Sequence, residues 1–303
     1  MNRHFRHIRE PGTPSLIDLP VFPGLGGERI RVLESPLANR GALLDKILKR
    51  RYHKPFIGEN ATGRSLYLSL DCVQSRMRLD DPWALDLRYT RKVMSFLLFQ
   101  PEPRDVLMLG LGGGSLAKFC YRHLPGTRLD TVEISADVIA LRDYFCVPST
   151  SPRFAIHRGD AAEYIALTSQ SYDIVIADAF DWGGISPSIR TSAFYRRIRS
   201  RLSAGGMLVA NLAGETAERV DHLRMMAREF SNNVLVVPVE GEGNEIAIAF
   251  KNPQPAPDWS WSAIRQRACS LAQDLGLDFP RFARRLERSY KLGYLRRALS
   301  WSP

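Results

Sequence analysis

Val106-Leu107-Met108-Leu109-Gly110-Leu111-Gly112-Gly113-Gly114-Ser115 is an apolar run that breaks into glycines and then into a helical pattern. Three more strand-like runs follow it, each ending in a carboxylate: Glu133, Asp160 and Asp178. In an open α/β sheet, ligands bind outside the carboxyl ends of the strands. One strand ending in glycine and three ending in acids therefore describe a single crevice, and its chemistry suits a nucleoside.

Working outward, strands are expected over 105–109, 129–134, 153–158, 172–177 and 206–212. Helices are expected over 115–123, 136–145, 161–167, 191–202 and 216–230. Such alternation with short connections predicts a parallel sheet with helices on both faces. The last two runs, 234–239 and 245–250, are separated by Glu240-Gly241-Glu242-Gly243-Asn244. Only a hairpin joins strands that closely, so the sheet should end in an antiparallel pair. The expected fold class is α/β, and seven strands with a terminal antiparallel hairpin resemble the Rossmann-like sheet of the S-adenosylmethionine-dependent methyltransferases rather than a dinucleotide-binding one.

Before this unit, residues 64–77 alternate well enough for two short strands with a turn near Asp71, and Leu43 to Arg51 reads as a short basic helix. A helix is expected from Leu85 to Leu98, with Leu85, Tyr89, Val93, Phe96 and Leu97 on its apolar stripe and Pro101 and Pro103 beyond its end. After a Pro-rich break at 253–257 the chain becomes helical and basic. Three regions follow: 1–81 with a small β unit, 82–252 as the nucleoside-binding unit, and 253–303 as a basic helical tail.

The net charge of +10 lies in the flanks. Residues 1–60 carry 11 Lys/Arg against 6 Asp/Glu, and residues 253–303 carry 9 against 4. The crevice segment is neutral, so weak polyanion binding through the termini is a secondary expectation at most. No apolar run approaches the roughly 20 residues of a membrane helix. The basic N-terminus has no apolar region after it, which predicts a cytoplasmic protein. Cys72, Cys120, Cys146 and Cys269 are scattered without a Cys-x-x-Cys pair, giving neither a zinc site nor a disulfide framework, and read as mostly buried free thiols.

Gly110 and Gly112 let a ligand approach the backbone at a helix N-terminus. Glu133 follows Gly110 at about the offset where a carboxylate takes both ribose hydroxyls. Asp160, with Ala161 beside it, either accepts from an adenine amino group or caps the next helix. Asp178 and Asp181 can hold a cationic amine, and one of them can take its proton. Glu240, Glu242 and Glu245 make the final hairpin acidic, either as solvated surface or as a collector of cations.

These residues resemble the polyamine aminopropyltransferases, the spermidine synthases and their relatives, from about Arg64 to Phe250. Leu70-Asp71-Cys72-Val73-Gln74-Ser75 is similar to the family's Leu-Asp-Gly-x-x-Gln segment. Glu133, Asp160 and Asp178-Ala179-Phe180-Asp181 resemble its ribose, adenine and catalytic elements, and Ala204-Gly205-Gly206-Met207 resembles its Pro-Gly-Gly turn. The resemblance implies aminopropyl transfer from decarboxylated S-adenosylmethionine to a di- or polyamine, without a metal. It implies Asp178 as base, Asp181 as its partner, Gln74, Gly110, Gly112, Glu133, Asp160 and Ala161 at the nucleoside, Tyr89 at the substrate, and a homo-oligomer. Three departures stand out. Gly113 replaces an acid that would hold the donor's ammonium, Arg91 stands where a carboxylate would meet the amine, and the acidic hairpin replaces a Pro-Thr-Tyr-Pro-Ser-Gly lid. The alternatives are a methyltransferase using S-adenosylmethionine, favoured by Gly113, and a non-catalytic nucleoside-binding protein.

Overall fold

The computed structural model describes residues 15–20, 27–181, 184–185, 187–241, 243–252 and 260–300. The side chains of Cys72, Phe180, Asp181, Ile185 and Pro187 lie outside that description, as do Glu242 and the Pro-rich break.

The central sheet has seven strands in the order β13-β14-β12-β9-β6-β7-β8. Its parallel members are β6 (Asp105–Leu109), β7 (Arg128–Glu133), β8 (Phe154–Arg158), β9 (Tyr172–Ala177) and β12 (Leu202–Leu212). β13 (Val234–Pro238) and β14 (Glu245–Phe250) form the terminal hairpin, with β14 antiparallel to both β13 and β12. β6 sits between β7 and β9, and the chain leaves it in opposite directions. That reversal opens a crevice at the carboxyl ends of β6 and β9. The two-faced burial of these strands explains their Val/Ile/Leu-rich composition.

The N-terminal unit is larger than the two strands expected. Five antiparallel strands, β1 (Leu16–Asp18), β2 (Arg29–Leu33), β3 (Phe56–Glu59), β4 (Gly63–Ser69) and β5 (Cys72–Arg78), form one sheet. Between β2 and β3 lies α1 (Arg40–Leu48), capped by the Asn39 side chain. Sequence alternation missed β1 to β3 because a buried acid, Glu28, precedes β2, and a glycine, Gly58, interrupts β3. The Tyr67 hydroxyl donates to Glu28 at 2.8 Å, and a Cβ at Gly58 would overlap the Glu28 carboxylate.

The helix expected from Leu85 to Leu98 is shorter and divided. α2 (Arg88–Val93) passes into a 3-10 turn at Met94–Leu98, every residue of which is buried. A segment covered on all sides has no solvent face, so an amphipathic period could not set its limits. Likewise the 136–145 helix divides into α4 (Ala136–Ala140), capped by Ser135, and a 3-10 turn at Arg142–Phe145. β12 starts four residues before the expected strand, its register shifting between Leu202 and Met207 around the Gly205-Gly206 turn.

Among the described residues, three helices follow β14: α8 (Trp261–Leu275), α9 (Phe279–Lys291) and α10 (Tyr294–Leu299). Ile264, Ala268, Phe279, Phe282, Ala283 and Leu286 join one core with Phe96 and Leu97 of the 3-10 turn and with Ile248 of β14. At roughly 1.5–3 kcal/mol for each large apolar side chain buried, α9 is anchored by its core face, and its arginines point outward. The thiols depart from expectation: Cys120 is buried, but Cys146 and Cys269 are exposed. No helix among the described residues is long and apolar enough to cross a membrane.

Candidate active site

A cleft of about 790 Å³ lies across the carboxyl ends of β6, β7 and β9 and under the N-terminal sheet. Its wall includes Gln74, Tyr89, Gly110, Gly112, Glu133, Asp160, Ala161 and Asp178. Residues proposed from six separate stretches of sequence thus meet in one cavity. The backbone of Asp181 pairs with Gly184 beyond the end of β9, and its side chain is outside the described residues.

The glycine turn works through backbone contact. Gly110, Gly112 and Gly114 have φ of 103°, 53° and 67°, values that L side chains rarely adopt. Gly114 is the N-cap of α3 (Ser115–His123), and a Cβ there would overlap Val147. Gly113 is not part of the cleft wall. A Cβ on it would stand 2.7 Å from the Ser75 hydroxyl oxygen and 3.0 Å from Phe145. The absent acid is therefore not a simple truncation, because the neighbouring side chains occupy its space.

Glu133 is 9 % exposed and binds the turn before any ligand arrives. Its two oxygens accept the amide N–H of Leu111 at 3.0 Å and of Ser135 at 2.8 Å. Burial pushes its pKa upward, and these backbone donors oppose the push. The backbone amides of Gly112 and Ile134 also act on this carboxylate, so the turn converges on it. Asp160 accepts the Glu163 amide at 2.9 Å, so it caps α5 (Ala161–Leu167) while lining the cleft. The cap and the ligand reading are thus compatible.

Asp178 is held from two sides. One carboxylate oxygen accepts the Tyr89 hydroxyl at 3.2 Å and the other accepts the Asn211 amide at 2.8 Å. Burial raises its pKa, and the two donors pull it back. The Asn211 carbonyl oxygen in turn accepts the Asn244 amide at 2.8 Å. Asn211 and Asn244 both line the cleft and were missed in the sequence. Asn211 had a signal, as an amide near the end of the otherwise apolar run Met207–Leu212. Asn244, in a hairpin loop, had none. Ile134 was also missed: it follows Glu133, lines the cleft and is 60 % exposed, an apolar patch in the cleft wall.

Two expected charges act elsewhere. Arg91 donates to the carbonyl oxygens of Leu85 at 2.7 Å and Asp86 at 3.0 Å and is not part of the cleft wall. Glu240 is held by Arg281 at 2.7 Å and by Arg285, and Glu245 accepts the Tyr294 hydroxyl at 2.5 Å. Two arginines of α9 thus offset Glu240, while the nearest cation to Glu245 is Arg219 at 3.7 Å. The cleft itself is acidic: its described wall holds Asp71, Glu133, Asp137, Asp160 and Asp178 but no Lys or Arg. Asp71 is ion-paired with Arg50 at the rim. Among the described residues no group of three His, Cys, Asp or Glu side chains is arranged to hold a metal ion.

The family model described as the spermine/spermidine synthase domain matches residues 87–239. A polyamine aminopropyltransferase of Chromobacterium violaceum is 34% identical over 234 residues, which are 77% of this chain and 89% of that protein. Among solved structures, a spermidine synthase in complex with the transition-state analogue AdoDATO aligns with a TM-score of 0.63. It shares 16% identity, over 82% of this chain and 86% of that one. Human methyltransferase-like protein 13 in complex with SAH aligns with a TM-score of 0.56 at 24% identity, over 63% of this chain and 93% of that one. The two structural likenesses speak for the fold, whereas the family-model match and the aminopropyltransferase relative fix the lineage: this chain belongs to the spermine/spermidine synthase family.

Proposed function

We propose that this protein transfers the aminopropyl group of decarboxylated S-adenosylmethionine to an amine of a di- or polyamine. The observation that carries the reading is the cleft wall of five carboxylates, of which Asp71 alone is paired at the rim with Arg50, without Lys or Arg among the described wall residues, and with Asp178 held between Tyr89 and Asn211. Both reactants are cations. A donor that kept its α-carboxylate would meet acids and no opposing cation in that wall, so the charge pattern favours the decarboxylated form.

In this reading Glu133 takes the ribose, Asp160 and Ala161 meet the base, and Gln74, Gly110 and Gly112 close around the nucleoside. Asp178, made more basic by burial, draws the proton from the acceptor's ammonium or from the amine as it attacks. The nitrogen bonds to the carbon next to the sulfonium, the carbon–sulfur bond breaks, and sulfur leaves as the neutral thioether of methylthioadenosine. The sulfonium is already an excellent leaving group. The residues therefore need only align, desolvate and remove one proton. Asp181 is proposed as a second contact for the amine.

A methyltransferase reading draws on Gly113 and on the likeness to the human protein, and the acidic wall counts against it. Calorimetric titration separates the two: the protein is titrated with each donor, with and without putrescine or spermidine. Tighter binding of the decarboxylated donor, strengthened by amine, supports aminopropyl transfer. Preference for the carboxylated donor without an amine effect overturns it.

A further inference from the structure

The segment between β13 and β14 begins where the family-model match ends, at residue 239. Its Gly241 and Asn244 line the cleft. The Val239 amide donates to the Asn244 carbonyl oxygen at 2.7 Å, closing the loop. From outside, α9 and α10 grip it: Arg281 and Arg285 hold Glu240, the Ser289 hydroxyl donates to the Val236 carbonyl oxygen, and the Tyr294 hydroxyl donates to Glu245. From the α2 side, Arg88 donates to the Glu240 carbonyl oxygen at 3.1 Å. From inside, the Asn244 amide fixes the Asn211 carbonyl oxygen, which turns the Asn211 amide N–H toward Asp178.

We propose that Asn244 is a positioning residue for Asp178, and that α9 sets its place through Arg281 and Arg285 on Glu240. The basic C-terminal segment is thus part of the acceptor end of the site. This rests on the transfer reading above. The physical reason lies in amide polarity. Asn211 can face Asp178 with either its N–H₂ or its oxygen, and only the N–H₂ stabilises a carboxylate. Asn244, donating to the Asn211 oxygen, selects that orientation. α9 is bolted into the core by Phe279, Phe282 and Leu286, so the Glu240 ion pairs tie a short loop to a rigid element.

Among the described residues, the groups facing the Asp178 carboxyl are the Tyr89 phenol from α2 and the Asn211 amide from β12, while the Gly110 backbone of the glycine turn abuts its carbonyl. The α2 cations Arg88 and Lys92 donate to the carbonyl oxygens of Glu240 and Pro238. The amide orientation is thus the adjustable influence on the carboxylate.

The test is the pH profile of kcat in the full chain. Asn244→Asp keeps the side-chain shape, loses the donor and forces the Asn211 amide to turn over. Its acid limb should move to higher pH by about one unit, with kcat on that limb falling roughly tenfold, because a hydrogen bond to a charged group is exchanged for an opposed dipole and a second carboxylate is added nearby. Glu240→Gln and the pair Arg281→Ala/Arg285→Ala should move the limb the same way by about half a unit, with methylthioadenosine affinity unchanged within about twofold. Loss of activity with an unmoved limb, in Asn244→Asp or in Glu240→Gln, overturns the proposal. If the unaltered protein transfers no aminopropyl group, the transfer reading fails. The relay is then read from the carbon-13 carboxyl resonance of Asp178, assigned by its loss in Asp178→Asn. Its titration midpoint should rise in Asn244→Asp, and an unmoved midpoint overturns the relay.

Discussion

Gly110 lies so close to Asp178 that a Cβ on the glycine would overlap the aspartate's carbonyl oxygen and stand 2.9 Å from its carbonyl carbon. The Asp178 amide also donates to the Leu109 carbonyl oxygen at 2.9 Å, so the glycine turn and Asp178 share one backbone seam. The turn and the aspartate are therefore one mechanical unit.

Gly110→Ala should displace Asp178 as well as strain the turn, since φ at this position is 103°. A loss of about 2–4 kcal/mol in unfolding free energy is expected, with kcat falling by about 100-fold. Denaturant melts and steady-state rates check it. Normal rates with a lowered melting temperature would show that the seam is structural only.

Asp178→Asn should abolish turnover and leave methylthioadenosine affinity within about threefold of the parent protein. It should also change stability in a defined direction. Burial raises the native pKa of Asp178, so the native state holds that proton more tightly, and the stabilisation it gives at low pH is lost as pH rises through the native pKa. Asp178→Asn should therefore be the more stable protein at pH 8 and should lose that advantage at pH 4. Unfolding curves at the two pH values decide it.

Glu133→Gln has one acceptor oxygen where the carboxylate has two, so it cannot serve both the Leu111 and the Ser135 amides. Leaving one donor buried and unpaired should cost about 1–3 kcal/mol of stability and weaken nucleoside binding at least about tenfold. Retained nucleoside affinity by calorimetry would remove Glu133 from the ribose assignment.

His222 lies buried on α7 (Thr216–Glu229), with Nδ1 on the Tyr195 hydroxyl, and desolvation pushes its pKa down to about 4. Its unfolded pKa is higher, so the unfolded chain binds the proton first and stability falls as pH drops from about 6.5 toward 4. His222→Asn keeps an acceptor near the Nδ1 position and should remove most of that slope. An unchanged slope between pH 4 and 6.5 would locate the acid sensitivity in other groups.

The strand-end acids and the glycine turn were legible because each is a local event. A buried parallel strand is a short apolar run, and the residues at or just beyond its end must turn, cap or bind, so Gly110, Glu133, Asp160 and Asp178 stand out. The closeness of Val239 to Glu245 likewise dictated a hairpin. Arg91 and the hairpin acids were read by position along the chain, and their partners lay elsewhere. Arg91 found carbonyls of its own helix entry, and Glu240 found arginines 41 and 45 residues away.

The sequence by itself therefore determined the α/β class, the terminal hairpin and the acids at the strand ends, since periodicity and turn chemistry act over a few residues. Tertiary structure alone decided that Glu28 is buried beneath a five-stranded sheet, that Ser75 and Phe145 fill the space beside Gly113, and that Asn244 reaches Asp178 through Asn211. Each of these depends on distances between segments far apart in the chain, which chain closure and core packing set together and no local pattern encodes.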